Sequence, residues 1–419
     1  MRLLVLLLVA IVVAGSGVSG WPPASVGTAL AAEPPVHELW RADRSTGFED
    51  WTFLGAHITN GRLALVGEDV PVIGTEIEGL TLPLTATGRA GIAVSPVRST
   101  AAPFRELIAS WNAQTPPGSW IELRVRAQVG EEGGRWSRWY EFGSWSTNSG
   151  PEYRQSVKDQ RDADGRVSTD TVLLRAPSTA YQFAVTLRTD RAIVATSGPQ
   201  SPSVSLVTVL ASTPSTTARA IGSTGAALGV TLPVPERSQM IYPNGGPVWC
   251  SPTSTSMVMA YWAERLGEPS LNRPVPEVAA AVYDVVYRGN GNWPFNTAYA
   301  GQYGLTAYVS RMSSLVQVER WIEAGIPVIA SLAWDPGELG NAAVPSTDGH
   351  LLVIVGFTPT GDVVVNDPAA DPRLGLSVQR VYPRAALERL WLTHSGGTVY
   401  LIHPASVSPP PADVAFGAW

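Results

Sequence analysis

A segment rich in Ser, Thr, Ala, Gly and Pro, residues 212–234, divides this 419-residue chain into two parts that differ in sequence pattern. Its lack of apolar periodicity is typical of a linker rather than of a helix or a strand. Chains longer than about 250–300 residues ordinarily form more than one hydrophobic core. We therefore predict two domains, over residues 37–211 and 235–404, followed by a Pro-rich tail over residues 405–419.

The first part, residues 37–211, has the sequence pattern of β-strands. From Trp120 to Gln128 polar and apolar residues alternate, which is the period of a strand with one buried face. Similar runs are separated by Gly, Pro, Asn and Asp residues, which favour turns. The pattern predicts an all-β sandwich, of jelly-roll or lectin-like type, for this part of the chain.

Tryptophans are frequent in the first part of a chain that has 15 in all. Flat aromatic rings beside Arg and Asn can stack on sugar rings, whereas core packing explains most tryptophans of β-sandwiches. Glycan contact by the first part is therefore a hypothesis that the sequence leaves open. The residues concerned are Trp40, Trp51, Trp111, Trp120, Trp136, Trp139 and Trp145.

The second part, residues 235–404, shows helical periodicity first and extended apolar runs afterwards. Helices are predicted over residues 251–266, 275–287, 314–324 and 384–392. Strands are predicted over residues 327–333, 351–357, 363–365 and 398–402. This order indicates an α+β domain with a compact antiparallel sheet.

The N-terminal segment, residues 1–32, has the features of a signal peptide. Arg2 precedes an apolar run from Leu3 to Ala14, and small residues follow near Ala32. The apolar run is shorter than the roughly 20 residues that a membrane-spanning helix needs. We therefore expect a secreted, extracellular protein with no stable membrane span after removal of the signal.

Charge and composition argue against several kinds of partner. The formal net charge is -6 and no run of Lys or Arg occurs, so nucleic acid is not expected to bind. One cysteine and scattered histidines do not form the ligand spacing of a zinc site. We expect no metal and no cofactor.

Cys250 is the single cysteine of the chain. In an exported protein a lone thiol is open to oxidation, so either burial or a function must account for it. Pro252 suits the first turn of a helix, and the Ser/Thr run after Cys250 can cap its N-terminus. A thiol at that position has a lowered pKa and lies among free backbone N–H groups that can stabilise an oxyanion. The surroundings therefore favour a nucleophilic Cys250.

A thiol nucleophile needs a base, and the chain has five histidines. His350 follows Gly349 and opens the apolar strand 351–357, so it is expected at the mouth of a buried strand with room for a substrate. The other four lie in the first part or flank the last helix and strand: His37, His57, His394 and His403. We therefore select His350 as the base.

The chain after His350 predicts a hairpin that returns an acidic residue to the imidazole. The strand 351–357 turns and comes back through residues 363–365 to an Asn-Asp-Pro sequence, so Asp367 can approach His350 and orient it. A tight two-residue turn would bring Asp371 there instead, and Asn366 is a weaker third candidate.

These motifs, in this order, resemble a known family. Gln239, Trp-Cys-Ser-Pro-Thr-Ser around Cys250, Gly-His-Leu-Leu-Val-Ile-Val-Gly-Phe around His350 and Val-Asn-Asp-Pro around Asp367 are similar to the papain-like cysteine peptidases typified by leader-processing domains of bacteriocin exporters. The closest likeness is to the secreted stand-alone branch of actinobacteria. The resemblance covers roughly residues 233–404 and implies a papain-like fold, a Cys-His-Asp triad and Gln239 as the side-chain half of the oxyanion hole.

The resemblance leaves the substrate open. The family has Gly after the cysteine where Ser251 stands, and the exporter domains are fused to membrane and ATPase segments. The leading hypothesis is a cysteine peptidase that acts on a peptide or protein through a thioester. The alternatives are a transglutaminase-like acyl transferase and a non-catalytic cell-wall or glycan-binding protein on a decayed papain-like scaffold.

Overall fold

A computed structural model describes residues 36–43, 47–65, 75–82, 88–130, 134–148, 150–190, 201–213 and 223–411. These residues belong to one compact unit. The predicted signal peptide, residues 1–32, lies outside them, as do residues 214–222 of the predicted linker and 412–419 of the predicted tail. Within the described ranges no helix is both long and apolar enough to cross a membrane.

The first part of the chain is built from antiparallel strands, as its alternating pattern predicts. Eleven strands form one connected sheet, with the main order β10-β9-β12-β8-β13-β4-β3, and β5 and β6 pair separately. The strands are β1 (Val36–Asp43), β2 (Thr52–Leu54), β3 (Ala56–Thr59), β4 (Arg62–Leu65), β5 (Glu76–Ile77), β6 (Leu80–Thr81), β7 (Gly88–Val94), β8 (Arg98–Gln114), β9 (Ser119–Ala127), β10 (Tyr140–Trp145), β11 (Gly165–Ser168), β12 (Thr171–Asp190) and β13 (Ser203–Thr213). On β9 the apolar residues of the alternating run are buried.

Two long strands change partners along their length. The first half of β12 pairs with β11 and β8, and its second half pairs with β9 and β7. The β12–β8 register shifts between Leu173 and Ser178, next to Pro177. Proline has no N–H to donate to a ladder, so it is compatible with a break at this point.

The second part of the chain has helices on an antiparallel sheet. Six strands follow the order β14-β19-β15-β16-β17-β18. The helices are α1 (Cys250–Leu266), α2 (Val275–Val282), α3 (Trp293–Gln302), α4 (Leu315–Glu323) and α5 (Arg384–Ser395). The strands are β14 (Leu305–Arg311), β15 (Val328–Trp334), β16 (Thr347–Phe357), β17 (Val363–Asn366), β18 (Gln379–Tyr382) and β19 (Thr398–Pro404).

Several elements of the second part differ from the sequence prediction. The helix predicted over residues 275–287 ends at Val282, and the chain then forms a tight loop around the buried carboxylate of Asp284. Helix α3 and strands β14 and β18 were not predicted. Helix α3 carries polar and apolar residues on all sides, and almost all of its residues are buried, so it has no amphipathic pattern to recognise.

The two parts of the chain share a buried contact. Strand β14 is an edge of the six-stranded sheet, and its backbone meets side chains of β8. Asn112 donates from Nδ2 to the Ala307 carbonyl at 2.7 Å and accepts from the Ala307 N–H at 3.2 Å, and Ser110 accepts from the Val309 N–H at 2.9 Å. The edge strand is therefore covered, and its polar groups are satisfied by the other part of the chain.

Candidate active site

Cys250 begins helix α1, as predicted, and is half-buried. The residue before it, Trp249, stands at the N-cap, and its carbonyl accepts the Thr253 N–H at 3.0 Å. The helix therefore directs its N-terminal N–H groups, including that of Cys250 itself, toward the thiol region. This is the electropositive position that the sequence indicated.

His350 lies on β16 beside the start of α1. The Ser254 hydroxyl of α1 donates to the Leu351 carbonyl at 3.0 Å, which joins the helix to the strand next to the imidazole. The ring of Trp334 stands edge-on to the His350 ring, with 5.5 Å between centroids. His350 is almost fully buried, and its imidazole is within hydrogen-bonding and electrostatic reach of the Cys250 thiol.

The Asp367 carboxylate lies on the far side of the imidazole. His350 donates from Nε2 to Oδ1 of Asp367 at 2.8 Å, and the same oxygen accepts the Ala369 N–H at 2.8 Å. Oδ2 accepts the Tyr382 hydroxyl at 2.6 Å. Asp367 is fully buried, so these contacts replace the water that its charge would otherwise need.

The two other acidic-site candidates have different partners. Asp371 begins a 3-10 turn and is paired with Arg373 at 2.8 Å. Asn366 lies on β17, where its Nδ2 donates to the Val234 carbonyl at 2.9 Å. Among the three residues that the sequence left open, Asp367 is therefore the one that contacts His350.

The charges of the site shift the pKa values of the thiol and the imidazole in opposite directions. Burial opposes ionisation of Cys250, but the hydrogen bond and positive charge of His350, with the N–H groups of Leu351 and Ser251, bring the thiol pKa below its ordinary value. Burial also disfavours the imidazolium, but the charge and hydrogen bond of Asp367 raise the His350 pKa. Burial of Asp367 is likewise outweighed by His350, Tyr382 and Ala369, which lower its pKa. The geometry therefore favours a thiolate and an imidazolium.

Gln239 is buried, lines the same cleft as Cys250 and is held by the loop that carries Asp367. Its backbone N–H donates to the Pro368 carbonyl at 2.8 Å. Its Oε1 is buried, and its side-chain amide makes no hydrogen bond to another described residue. The backbone of Gly246 lies against the Gln239 carbonyl, and a Cβ at position 246 would be 2.4 Å from that oxygen. Glycine therefore permits the close approach of these two residues. An amide that is free to receive a ligand thus lies at the edge of the thiol site.

Two family models match the chain. One, described as "Peptidase C39 N-terminal domain", matches residues 38–212, and the other, described as "Peptidase_C39 like family", matches residues 231–399. The chain belongs to the C39-like peptidase family.

Part of the chain is also similar to a solved structure. The structure, described as a "putative C39-like peptidase from Bacillus anthracis", is 18% identical, covers 41% of this chain and 96% of its own, and has a TM-score of 0.31. No curated protein matches.

Ser251 stands where the resemblance to the family predicts Gly after the cysteine. Its hydroxyl is 2.9 Å from the Tyr400 hydroxyl, and the side chain is buried. Neither residue lines the cleft around Cys250. The extra hydroxymethyl group is therefore accommodated in the interior, where a partner on β19 satisfies it.

The thiol, imidazole and Gln239 line a cleft of about 1420 Å³. This exceeds the roughly 300–1,000 Å³ that is usual for small-molecule sites, and is large enough for a length of polypeptide. Of the remaining histidines, His394 lines the cleft, and His403 is buried with Nδ1 3.0 Å from the Pro404 carbonyl. His37 and His57 lie on the strands of the first part.

Sequence reasoning missed Tyr382 and Trp334, which touch Asp367 and His350. Tyr382 lies on β18, a four-residue strand with no distinctive pattern. Trp334 ends β15, where a tryptophan is equally expected for core packing. Neither residue has a local signal, because each reaches the site only through the pairing of the strands.

Proposed function

We propose that the protein is a secreted cysteine peptidase that hydrolyses peptide or amide bonds through a thioester intermediate. One observation carries the proposal: the thiol at the start of α1 shares a cleft with, and is within reach of, an imidazole that bonds through Nε2 to a buried carboxylate. Membership of a peptidase family supports a peptide or protein substrate. Cys250 is the nucleophile, His350 carries the proton and Asp367 orients His350.

The reaction proceeds in two acyl transfers. The Cys250 thiolate attacks the carbonyl carbon of the scissile amide, and the electron pair of the C=O bond moves to oxygen, where the Cys250 N–H and the Gln239 amide stabilise it. The tetrahedral intermediate collapses with cleavage of the C–N bond, and His350 donates its proton to the leaving amine. Water, deprotonated by His350, then attacks the thioester and releases the acid and the thiol.

The decisive experiment compares the wild type with Cys250→Ala on a proteome-derived peptide library read by mass spectrometry. We expect new peptide termini with the wild type and none with the variant. Iodoacetamide should label Cys250 of the folded wild type at neutral pH. Ser251→Ala is a matched control, since its hydroxyl bonds to Tyr400 outside the cleft and its loss should leave cleavage intact. A folded wild type whose Cys250 does not react would contradict the proposal.

The same digestion separates the alternatives. A transglutaminase-like acyl transferase would form cross-linked product when an amine acceptor is added, whereas a hydrolase releases free acid. A non-catalytic adhesin would lose no activity in Cys250→Ala. The Ser251 side chain bonds to Tyr400 away from the cleft, which supports an intact site.

We propose the finer architecture on the same basis. Residues 1–32 are a signal peptide, residues 37–211 a jelly-roll-like β-sandwich domain, 212–234 a linker and 235–404 a papain-like domain. The exported protein should begin after the signal, which N-terminal sequencing of the secreted form tests. Glycan contact by residues 37–211 is tested by retention of the full chain on wall polysaccharides, and a lack of retention on all of them contradicts it.

A further inference from the structure

The hairpin that joins β11 to β12 extends from the β-rich part of the chain into the cleft of Cys250. Its tip, Ser168–Thr171, lines the cleft together with Cys250 and His350. Ser168 pairs with Thr171, and the turn between them places Thr169 at a φ of 55°. A β-branched residue adopts such a φ only when its surroundings hold it there, so the tip has a fixed position.

The exposed side chains of the tip are free to meet a ligand. Ser168 is exposed and Thr169 is half-exposed, and neither side chain hydrogen-bonds to another described residue. Asp170, by contrast, is buried and points into the molecule, where its Oδ2 accepts the Trp293 N–H at 2.8 Å. The tip thus has in the cleft two hydroxyl groups, of Ser168 and Thr169, that bond to no other described residue, and Asp170 anchors it.

The β-rich part also holds a second cleft wall, the loop of residues 283–292, called here the cleft loop. Near its start, Asp284 Oδ1 accepts the Ser156 N–H at 3.1 Å, and the Val285 N–H donates to the Arg154 carbonyl at 3.4 Å. Trp293 follows the last residue of the cleft loop, and its N–H donates to Asp170. The cleft loop is therefore fixed at both ends by residues of the β-rich part.

The cleft loop lines the same cleft as the thiol. Tyr287 lines the cleft; burial raises its pKa, and the charges of Asp170 and Cys250 raise it further, so it is within electrostatic reach of both. A shift of this loop would change the surface that a bound chain meets next to Cys250.

We infer that the β-rich part is a wall of the substrate-binding cleft, with Ser168 and Thr169 contacting the bound polypeptide and Asp170 positioning the cleft loop. The inference rests on the proposed peptidase function. It gives the first part of the chain a role in selecting the cleavage site, in addition to any binding elsewhere.

The contact is tested with Thr169→Arg. The new side chain narrows the cleft and adds a cation, so KM for peptides of several residues should rise by about tenfold or more. The cleavage-site profile should move toward acidic residues at the subsite that meets the tip. Asn60→Arg is the matched control, because Asn60 forms the β3–β4 turn at a φ of 50°, is exposed and does not line the cleft. It should change neither quantity.

The positioning role is tested by comparing Asp170→Ala with Asp170→Asn. Alanine removes the acceptor for Trp293, so KM should rise and amide hydrogen exchange over residues 284–293 should become faster. Asparagine keeps an acceptor and should restore both to near wild-type values. Labelling of Cys250 by iodoacetamide should stay close to wild type in every variant, since this small probe needs neither wall.

The outcomes separate this inference from the proposed function. An active wild type whose KM and cleavage profile are unchanged in Thr169→Arg, or whose Asp170→Ala variant equals Asp170→Asn, overturns the inference alone. A wild type that neither labels nor cleaves overturns the proposed function and this inference with it.

Discussion

The surroundings of the Cys250 thiol and the His350 imidazole reverse the ordinary order of their pKa values. The thiol pKa is lowered from 9.0, and the imidazole pKa is raised from 6.5 by Asp367 despite burial. Because the thiol then has the lower pKa, it loses its proton first. The thiolate–imidazolium pair is the dominant form between the thiol pKa and the imidazole pKa. A thiol pKa below 9.0 and an imidazole pKa of about 10 therefore predict that the ion pair forms below the pH at which an ordinary thiol ionises.

We expect the acid limb of kcat/KM to lie below pH 9.0, the ordinary thiol pKa, and the alkaline limb to lie near the raised His350 pKa of about 10. Activity should fall in acid as Cys250 gains a proton, and in alkali as His350 loses one. The measurement is a pH–rate profile on one library-derived peptide. A single rise near the ordinary thiol pKa would contradict the ion pair.

Asp367→Asn should reduce kcat by about 10²–10⁴ and move the alkaline limb to lower pH. The reason is that the amide cannot stabilise the imidazolium, so the His350 pKa falls. Asp371→Asn is the control: Asp371 bonds to Arg373 and should change neither value much. Equal effects of the two substitutions would contradict the orienting role of Asp367.

The sequence could predict Cys250, His350 and Asp367 as candidates because each has a local cue: a helix start, a strand start and a hairpin end. The choice between Asp367 and Asp371 required the register of β16 and β17, which shifts between Ile354 and Gly356. A turn longer than two residues sets that register, and its length has no simple sequence signature.

Helix α1 and strand β16 meet where the site is formed, and Ser254 joins them. Its hydroxyl donates to the Leu351 carbonyl in a buried contact. The neighbouring Thr253 is also fully buried, but its hydroxyl has no partner among the described residues. Adjacent hydroxyls on one helix turn thus differ in whether they connect the helix to the strand.

Ser254→Ala should lower the free energy of unfolding by about 0.5–1.5 kcal/mol and slow iodoacetamide labelling of Cys250 at acidic pH. The reason is that α1 loses a contact that holds the thiol beside the imidazole. Thr253→Val removes a hydroxyl that has no hydrogen-bond partner among the described residues. The free energy of unfolding should therefore stay the same or rise. Denaturant unfolding and labelling rates are measured for both variants. A larger loss of stability in Thr253→Val than in Ser254→Ala would contradict the role given to Ser254.

At the level of helices and strands, the sequence predicted elements with clear periodicity and missed those that are buried on all sides. The alternation on β9 and the helix start at Cys250 are local patterns. Helix α3 is recognisable only in the folded chain, where Phe295 packs against Trp145 with 5.1 Å between centroids. Because residues distant in the sequence bury this helix on all sides, it lacks the amphipathic pattern of a surface helix.

The two parts of the chain are joined by buried polar and aromatic contacts that the sequence did not indicate. Trp111 and Trp145 both pack against Phe295 of α3. Arg311 of β14 pairs with Glu106 of β8 at 2.7 Å. Read alone, residues 212–234 suggested two independent domains, because a linker carries no information about the surfaces on either side.

Replacement of Asn112 tests the contact between the two parts of the chain. It is buried, and it satisfies both the N–H and the C=O of Ala307 on the edge strand β14. Asn112→Ala leaves two buried backbone groups without partners, at about 1–3 kcal/mol each. Gln114, on the same strand, donates to the Gln302 carbonyl at 2.6 Å but is exposed, so in Gln114→Ala water can take its place.

We therefore expect Asn112→Ala to lower the free energy of unfolding by about 2–5 kcal/mol, and Gln114→Ala by less than about 0.5 kcal/mol. Chemical denaturation followed by tryptophan fluorescence measures both, since Trp111 and Trp145 of the first part pack against Phe295 of the second. Because the contact is part of a shared core, the wild type should unfold in a single transition. Equal small losses in the two variants, or a wild type that unfolds in two separate steps, would mean that the β-rich part and the cysteine site are stable without each other.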